Sequence, residues 1–112
     1  MNERDSSRLR DMLREAQQAQ KFAQGKSLVD LYQDDVLSYA IVRALEIVGE
    51  AGSKVTSATQ MANPHIPWRK IVGMRNRMIH DYGNVDIAMV WETVTTILPD
   101  LMFELERILP RK

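Results

Sequence analysis

The stretch Ile87-Ala88-Met89-Val90-Trp91-Glu92-Thr93-Val94-Thr95-Thr96-Ile97-Leu98-Pro99-Asp100-Leu101-Met102-Phe103-Glu104-Leu105-Glu106-Arg107-Ile108 decides the fold class. Ile87, Val90, Trp91, Val94, Ile97, Leu98, Leu101, Leu105 and Ile108 recur at three- and four-residue spacing, the period of one helix face. Pro99 lies inside the stripe, which continues beyond it without a change of phase. A kink is therefore expected rather than a helix end.

The chain upstream has the same period. Asp81-Tyr82-Gly83-Asn84 is turn chemistry. Before it, Trp68, Ile71, Val72, Met74, Met78 and Ile79 predict a third helix from Pro67 to near His80, with the proline in its first turn. Met61 to Pro67 holds two prolines and reads as an extended connector. A second helix is predicted from Leu31 or Asp34 into the fifties, through Val36, Leu37, Ile41, Ala44, Leu45, Ile47, Val48 and Ala51. Gly49 and Gly52 in its last turns imply fraying there or close packing against another backbone. Leu9, Met12, Leu13, Ala16, Ala19 and Ala23 predict a first helix over 4–24, capped by Asp5 or Ser6 and ended by Gly25. No strand pattern is found. The expected fold is an all-α, up-and-down bundle of four main helices, with a short fifth turn around Ser27 to Tyr32.

Composition narrows the function. A chain of 112 residues is expected to form one domain over 1–112. It has no cysteine, which excludes a disulfide framework, an iron–sulfur cluster and a thiolate zinc site. No apolar run approaches the ~20 residues needed to span a membrane, and the first residues are charged where a signal peptide is apolar. A cytoplasmic protein is expected. The 15 Lys plus Arg balance the 15 Asp plus Glu, which argues against holding nucleic acid by overall charge. The balance is uneven, however: +2 over 1–26, −3 over 27–66, +3 over 67–82 and −2 over 83–112. The third helix is the basic element, either as a solvated face or as a local anion site.

That element carries the chemistry, in Ile71-Val72-Gly73-Met74-Arg75-Asn76-Arg77-Met78-Ile79-His80-Asp81-Tyr82. On a continuous helix Asn76 and His80 share a face, so the amide can orient the imidazole. Arg75 and His80, five apart, flank a cleft without touching unless the helix loosens at its end. Arginine offers a fork of donors to phosphate oxygens, and histidine moves protons near neutral pH. Together they suit phosphodiester cleavage without metal, in which the RNA 2′-hydroxyl is the nucleophile and the product is a cyclic phosphate. No cofactor is implied, and carboxylates and histidines show no metal-ligand spacing, so a two-metal nuclease is not expected. Taken alone the pattern is short, and a helix-end histidine also serves capping or packing.

The segment from Ile71 to Asp86, with Trp91 after it, resembles the signature region of HepT-like toxins of the HEPN superfamily. The resemblance extends to Arg43-Ala44-Leu45-Glu46-Ile47-Val48-Gly49-Glu50-Ala51, to Ile66-Pro67-Trp68 and to the long last helix with its proline. It implies a HEPN-like helical domain that forms a homodimer and cleaves RNA without metal through an Arg-x4-His motif. Arg75 and His80 are then the catalytic pair, and Asn76 the polar residue beside the arginine. Tyr82 matches the family tyrosine that receives AMP from an MntA-like minimal nucleotidyltransferase, the antitoxin of the pair. A symmetric dimer would place two copies of Arg75 and His80 about one cleft, doubling its positive potential.

Other residues have quieter readings. Arg43, Glu46 and Glu50 share a helix face and suit an intrahelical ion pair, with a cleft-lining role beside Arg75 as the alternative. His65 is a connector residue, and Trp68 and Trp91 are core or interface anchors. The rival to the nuclease is a non-catalytic helical dimer module that binds a minimal nucleotidyltransferase. A DNA-binding regulator fits less well, since no short-turn helix pair presents a basic recognition helix.

Overall fold

The computed structural model describes residues 1–80 and 84–110. Among them the chain is all-α: α1 (Glu3–Ala23), α2 (Leu28–Gln33), α3 (Asp35–Ser53), α4 (Ser57–Ala62), α5 (Trp68–Val72), α6 (Met74–Met78), α7 (Ile87–Glu92), a π-helical turn (Thr93–Ile97) and α8 (Leu98–Ile108). The expected bundle is present, with its third helix divided and one further short helix added.

α1 begins one turn earlier than its expected caps. Asn2 accepts the Asp5 N–H through its side chain at 2.7 Å, which leaves Asp5 free for another task. The buried Asp5 carboxylate instead accepts from the Thr56 N–H at 3.0 Å, the Thr56 hydroxyl at 2.6 Å and the Thr59 hydroxyl. These bonds tie the start of α1 to the α3–α4 turn, so α1 and α3 run antiparallel. The Thr56 and Thr59 hydroxyls hold the Asp5 carboxyl below the usual carboxylate range. Gly25, at φ +74°, supplies the left-handed residue just past the end of α1.

Ser27 and Asp30 form a capping box at α2, and Asp34 caps α3 by accepting the Leu37 N–H at 3.1 Å. The long α3 crosses the centre of the fold. Ile41, Leu45 and Val48 pack with Leu9, Met12, Ala16 and Ala19 of α1, and with Ile71, Met74, Val90, Val94, Leu98, Leu101 and Leu105. Full burial of each large aliphatic side chain is worth about 1.5–3 kcal/mol. Gly49 and Gly52 do not fray. A Cβ built on Gly49 would stand 2.9 Å from the Ile71 carbonyl oxygen, so α5 lies directly on α3.

The expected extended connector is partly helical. α4 takes in Met61 and Ala62, and only Asn63 to Pro67 link it to α5. Trp68 anchors that link, its ring buried and its indole N–H donating to the Asn63 carbonyl at 3.0 Å.

The last helix runs on past Pro99. In a π turn the N–H of residue 99 would donate to the carbonyl of Val94, five residues back. Proline has no N–H, and the Gln20 side-chain amide donates to that carbonyl from α1 instead. The widened turn keeps Val94, Leu98, Leu101 and Leu105 buried in one stripe.

Candidate active site

The third helix of the sequence reading is two short helices that meet at Gly73, whose N–H closes α5 on the Arg69 carbonyl. α6 then ends at Met78, before His80. Ile79 is extended and forms an isolated antiparallel bridge with Val85. The His80 N–H donates to the Asn84 carbonyl and the Asp86 N–H to the Met78 carbonyl, each at 2.7 Å. The β-branched pair Ile79 and Val85 suits this extended pairing, and it satisfies backbone groups that further helix would have used.

This changes the predicted geometry. Asn76 is on α6 and exposed, whereas His80 stands beyond the helix end. The two do not share a helix face, and no hydrogen bond joins them among the described residues. Tyr82 and the predicted turn residues Asp81 and Gly83 lie outside the described residues.

Arg75 and His80 each face a carboxylate. The Arg75 guanidinium, with 62% of its side chain exposed, donates from Nε to Glu46 Oε2 at 2.9 Å. Glu46 belongs to α3, and its side chain is only 17% exposed. His80 Nε2 lies 3.9 Å from Asp86 Oδ2, and Asp86 Oδ1 caps α7 by accepting the Met89 N–H at 3.1 Å. The cap fixes the aspartate, so a protonated imidazole would find a negative charge beside it.

For Glu46 the sequence favours an ion pair along its own helix, with a cleft-lining role beside Arg75 as the alternative. The pair that forms there is Arg43 Nη1 with Glu50 Oε1, at 3.4 Å, while Glu46 turns to Arg75. Asp86 was not singled out at all. Its signal was present: an aspartate directly before the apolar stripe, six residues after the histidine.

Exposed apolar side chains stand nearer the start of α3. Val36 and Tyr39, 79% and 71% exposed, precede Arg43 and Glu46 along one side of α3. Trp91 is half-buried and lines a separate groove of 600 Å³ between α1 and the last helix, with Gln17, Gln20, Lys21 and Thr95. His65 is exposed in the connector, in a groove of 260 Å³ with Pro67, Lys70, Asp100 and Glu104. Among the described residues no group of three or more His, Asp or Glu side chains is placed to hold a metal ion. No helix among them is long and apolar enough to cross a membrane.

Comparison with known proteins places this chain in a family. The chain is 34% identical over 104 residues to "Putative RNase TTE0752" of Caldanaerobacter subterraneus subsp. tengcongensis, covering 93% of each chain. It is 35% identical over 88 residues to "Putative RNase MJ1216" of Methanocaldococcus jannaschii, covering 79% of this chain and 73% of that one. It is 32% identical over 100 residues to "Probable ribonuclease HepT" of Thermococcus cleftensis, covering 89% and 91%. No solved structure gives a significant match. The family model described as "Ribonuclease HepT-like" matches residues 12–108, which take in Glu46, Arg75, His80 and Asp86. The chain belongs to the HepT-like ribonuclease family.

Proposed function

We propose that this chain is a metal-independent endoribonuclease, the toxin of a type VII-like toxin–antitoxin pair, acting in the cytoplasm as a homodimer of one-domain protomers. The observation that carries the reading is the family match across Arg75 and His80, two exposed side chains each held beside a carboxylate.

The chemistry follows from these groups. A base removes the proton of an RNA 2′-hydroxyl, and that oxygen bonds to the adjacent phosphorus. The bond from phosphorus to the 5′-oxygen breaks, and an acid protonates the leaving oxygen. The ends are a 2′,3′-cyclic phosphate and a 5′-hydroxyl. Arg75 stabilises charge growing on the phosphate, His80 transfers a proton, and Asn76 orients the RNA beside the arginine. Two protomers supply two histidines, one as base and one as acid. The exposed Val36 and Tyr39, on the same side of α3 as Glu46 and nearer its start, give a second protomer an apolar surface to cover.

Tyr82 is the regulatory position. An MntA-like nucleotidyltransferase would join its phenolic oxygen to the α-phosphorus of ATP and release pyrophosphate. The attached AMP adds bulk and negative charge where RNA must bind.

The test is RNA cleavage by purified protein in EDTA. Wild type cleaves and His80→Ala does not. If His80→Ala cleaves equally well, the catalytic assignment fails. If neither cleaves while the protein still binds a nucleotidyltransferase, the non-catalytic module is the better account.

A further inference from the structure

The structure assigns Glu46 as the positioning residue of Arg75: it holds the guanidinium by Nε and so presents the Nη1–Nη2 edge to the scissile phosphate. The inference rests on the ribonuclease reading above.

The two partners differ in rigidity. Glu46 stands in the middle of the 19-residue α3, next to buried Leu45 and one turn before buried Gly49. Arg75 is on the five-residue α6, with most of its side chain in solvent. The carboxylate is therefore the fixed member and the long arginine side chain the movable one. Left alone, that side chain samples many rotamers, and few of them aim its donors at one phosphate.

The contact depends on how close α5 and α6 come to α3. At Gly49, one turn beyond Glu46, the absent side chain lets the Ile71 carbonyl sit where a Cβ would otherwise stand. With α5 seated there, α6 brings the Arg75 Nε within 2.9 Å of Glu46 Oε2. On the neighbouring position of the helix face, Arg43 and Glu50 pair with each other at 3.4 Å.

The chemistry of the contact is selective. A guanidinium has five N–H donors, and a bond at Nε leaves the far edge able to grip two phosphate oxygens. An exposed ion pair contributes little to stability. Its carboxylate also adds negative charge beside the place where an anionic substrate binds, which disfavours RNA binding. Glu46 should therefore aid the cleavage step and not the affinity.

The test compares Glu46→Ala and Glu46→Gln with wild type, in single-turnover cleavage and in binding of an RNA whose scissile nucleotide is 2′-deoxy. Alanine is favourable within a helix, and unchanged helicity and thermal unfolding verify the fold. Glu46→Ala is expected to cleave about 10²-fold more slowly, yet to bind the deoxy analogue as tightly as wild type or more tightly. Glu46→Gln, whose amide oxygen can accept the same Nε–H bond, should keep most of the rate. Wild-type cleavage by Glu46→Ala overturns the inference. Equal losses in both variants also overturn it, since charge and not position would then be at work. A wild type that cleaves no RNA overturns the functional reading, and this inference with it.

Discussion

Gly49 of α3 and Ile71 of α5 approach so closely that a methyl group on residue 49 would lie 2.9 Å from the Ile71 carbonyl oxygen. A backbone oxygen cannot swing aside as a side chain can, so Gly49→Ala must push α5 away from α3. Such overpacking costs about 1–3 kcal/mol, to be read from urea unfolding. The same displacement would draw Arg75 from Glu46, so RNA cleavage should fall under conditions where the variant is still fully folded. Unfolding and cleavage both at wild-type levels would show that the contact can relax without cost.

Asp5 contributes to acid stability. Its carboxyl lies below the ordinary range in the folded chain because Thr56 and Thr59 donate to the ionised form. The unfolded chain therefore takes up this proton first as pH falls. The stabilisation is full above the unfolded carboxylate value of about 4 and is lost as pH falls through the lower folded value. Asp5→Asn should be less stable at neutral pH, and its stability should fall less steeply over the acid range. Parallel pH profiles for wild type and Asp5→Asn would contradict this.

Pro99 and Gln20 should be coupled. Gln20 supplies the donor that proline lacks, at the Val94 carbonyl. Gln20→Ala leaves that carbonyl unpaired and is expected to cost about 1–3 kcal/mol. With Pro99→Ala in the background the cost should shrink, since residue 99 then has an N–H of its own. A double-mutant cycle from chemical denaturation measures the coupling. Additive losses would mean that the two residues act independently.

Tyr82 carries the regulatory proposal. Co-expression with the candidate nucleotidyltransferase should raise the intact mass in AMP steps and abolish RNA cleavage. Tyr82→Phe should gain no mass and stay active. Mass gain in Tyr82→Phe would move the modification to another residue.

These effects also mark what the sequence made legible. The stripe from Ile87 to Ile108 and the Leu9 to Ala23 pattern predicted their helices to within a turn, because their side chains repeat the core contacts they make. The run from Pro67 to His80 predicted one helix and formed two. Its apolar period persists across Gly73, and the alternative partners of its final turn, Asn84, Val85 and Asp86, lie downstream. α4 went unseen because six residues show too little period and two prolines follow. At the candidate site the residue types of Arg75 and His80 suggested phosphate chemistry, and the family resemblance, not the short pattern alone, singled out the pair. Glu46 beside Arg75 was only the second reading, since Arg43 offered a partner on its own helix and Arg75 is 29 positions away.

The central claim is that this chain cleaves RNA by transphosphorylation at Arg75 and His80 without metal. The most direct measurement is mass spectrometry of the fragments from an oligoribonucleotide cut in EDTA, beside the same oligonucleotide with one 2′-deoxy nucleotide at the cut. The account predicts a 2′,3′-cyclic phosphate and a 5′-hydroxyl from the first, no cut at the deoxy position in the second, and no products with Arg75→Ala or His80→Ala. Cleavage at the deoxy position, or fragments ending in 5′-phosphate, would contradict it.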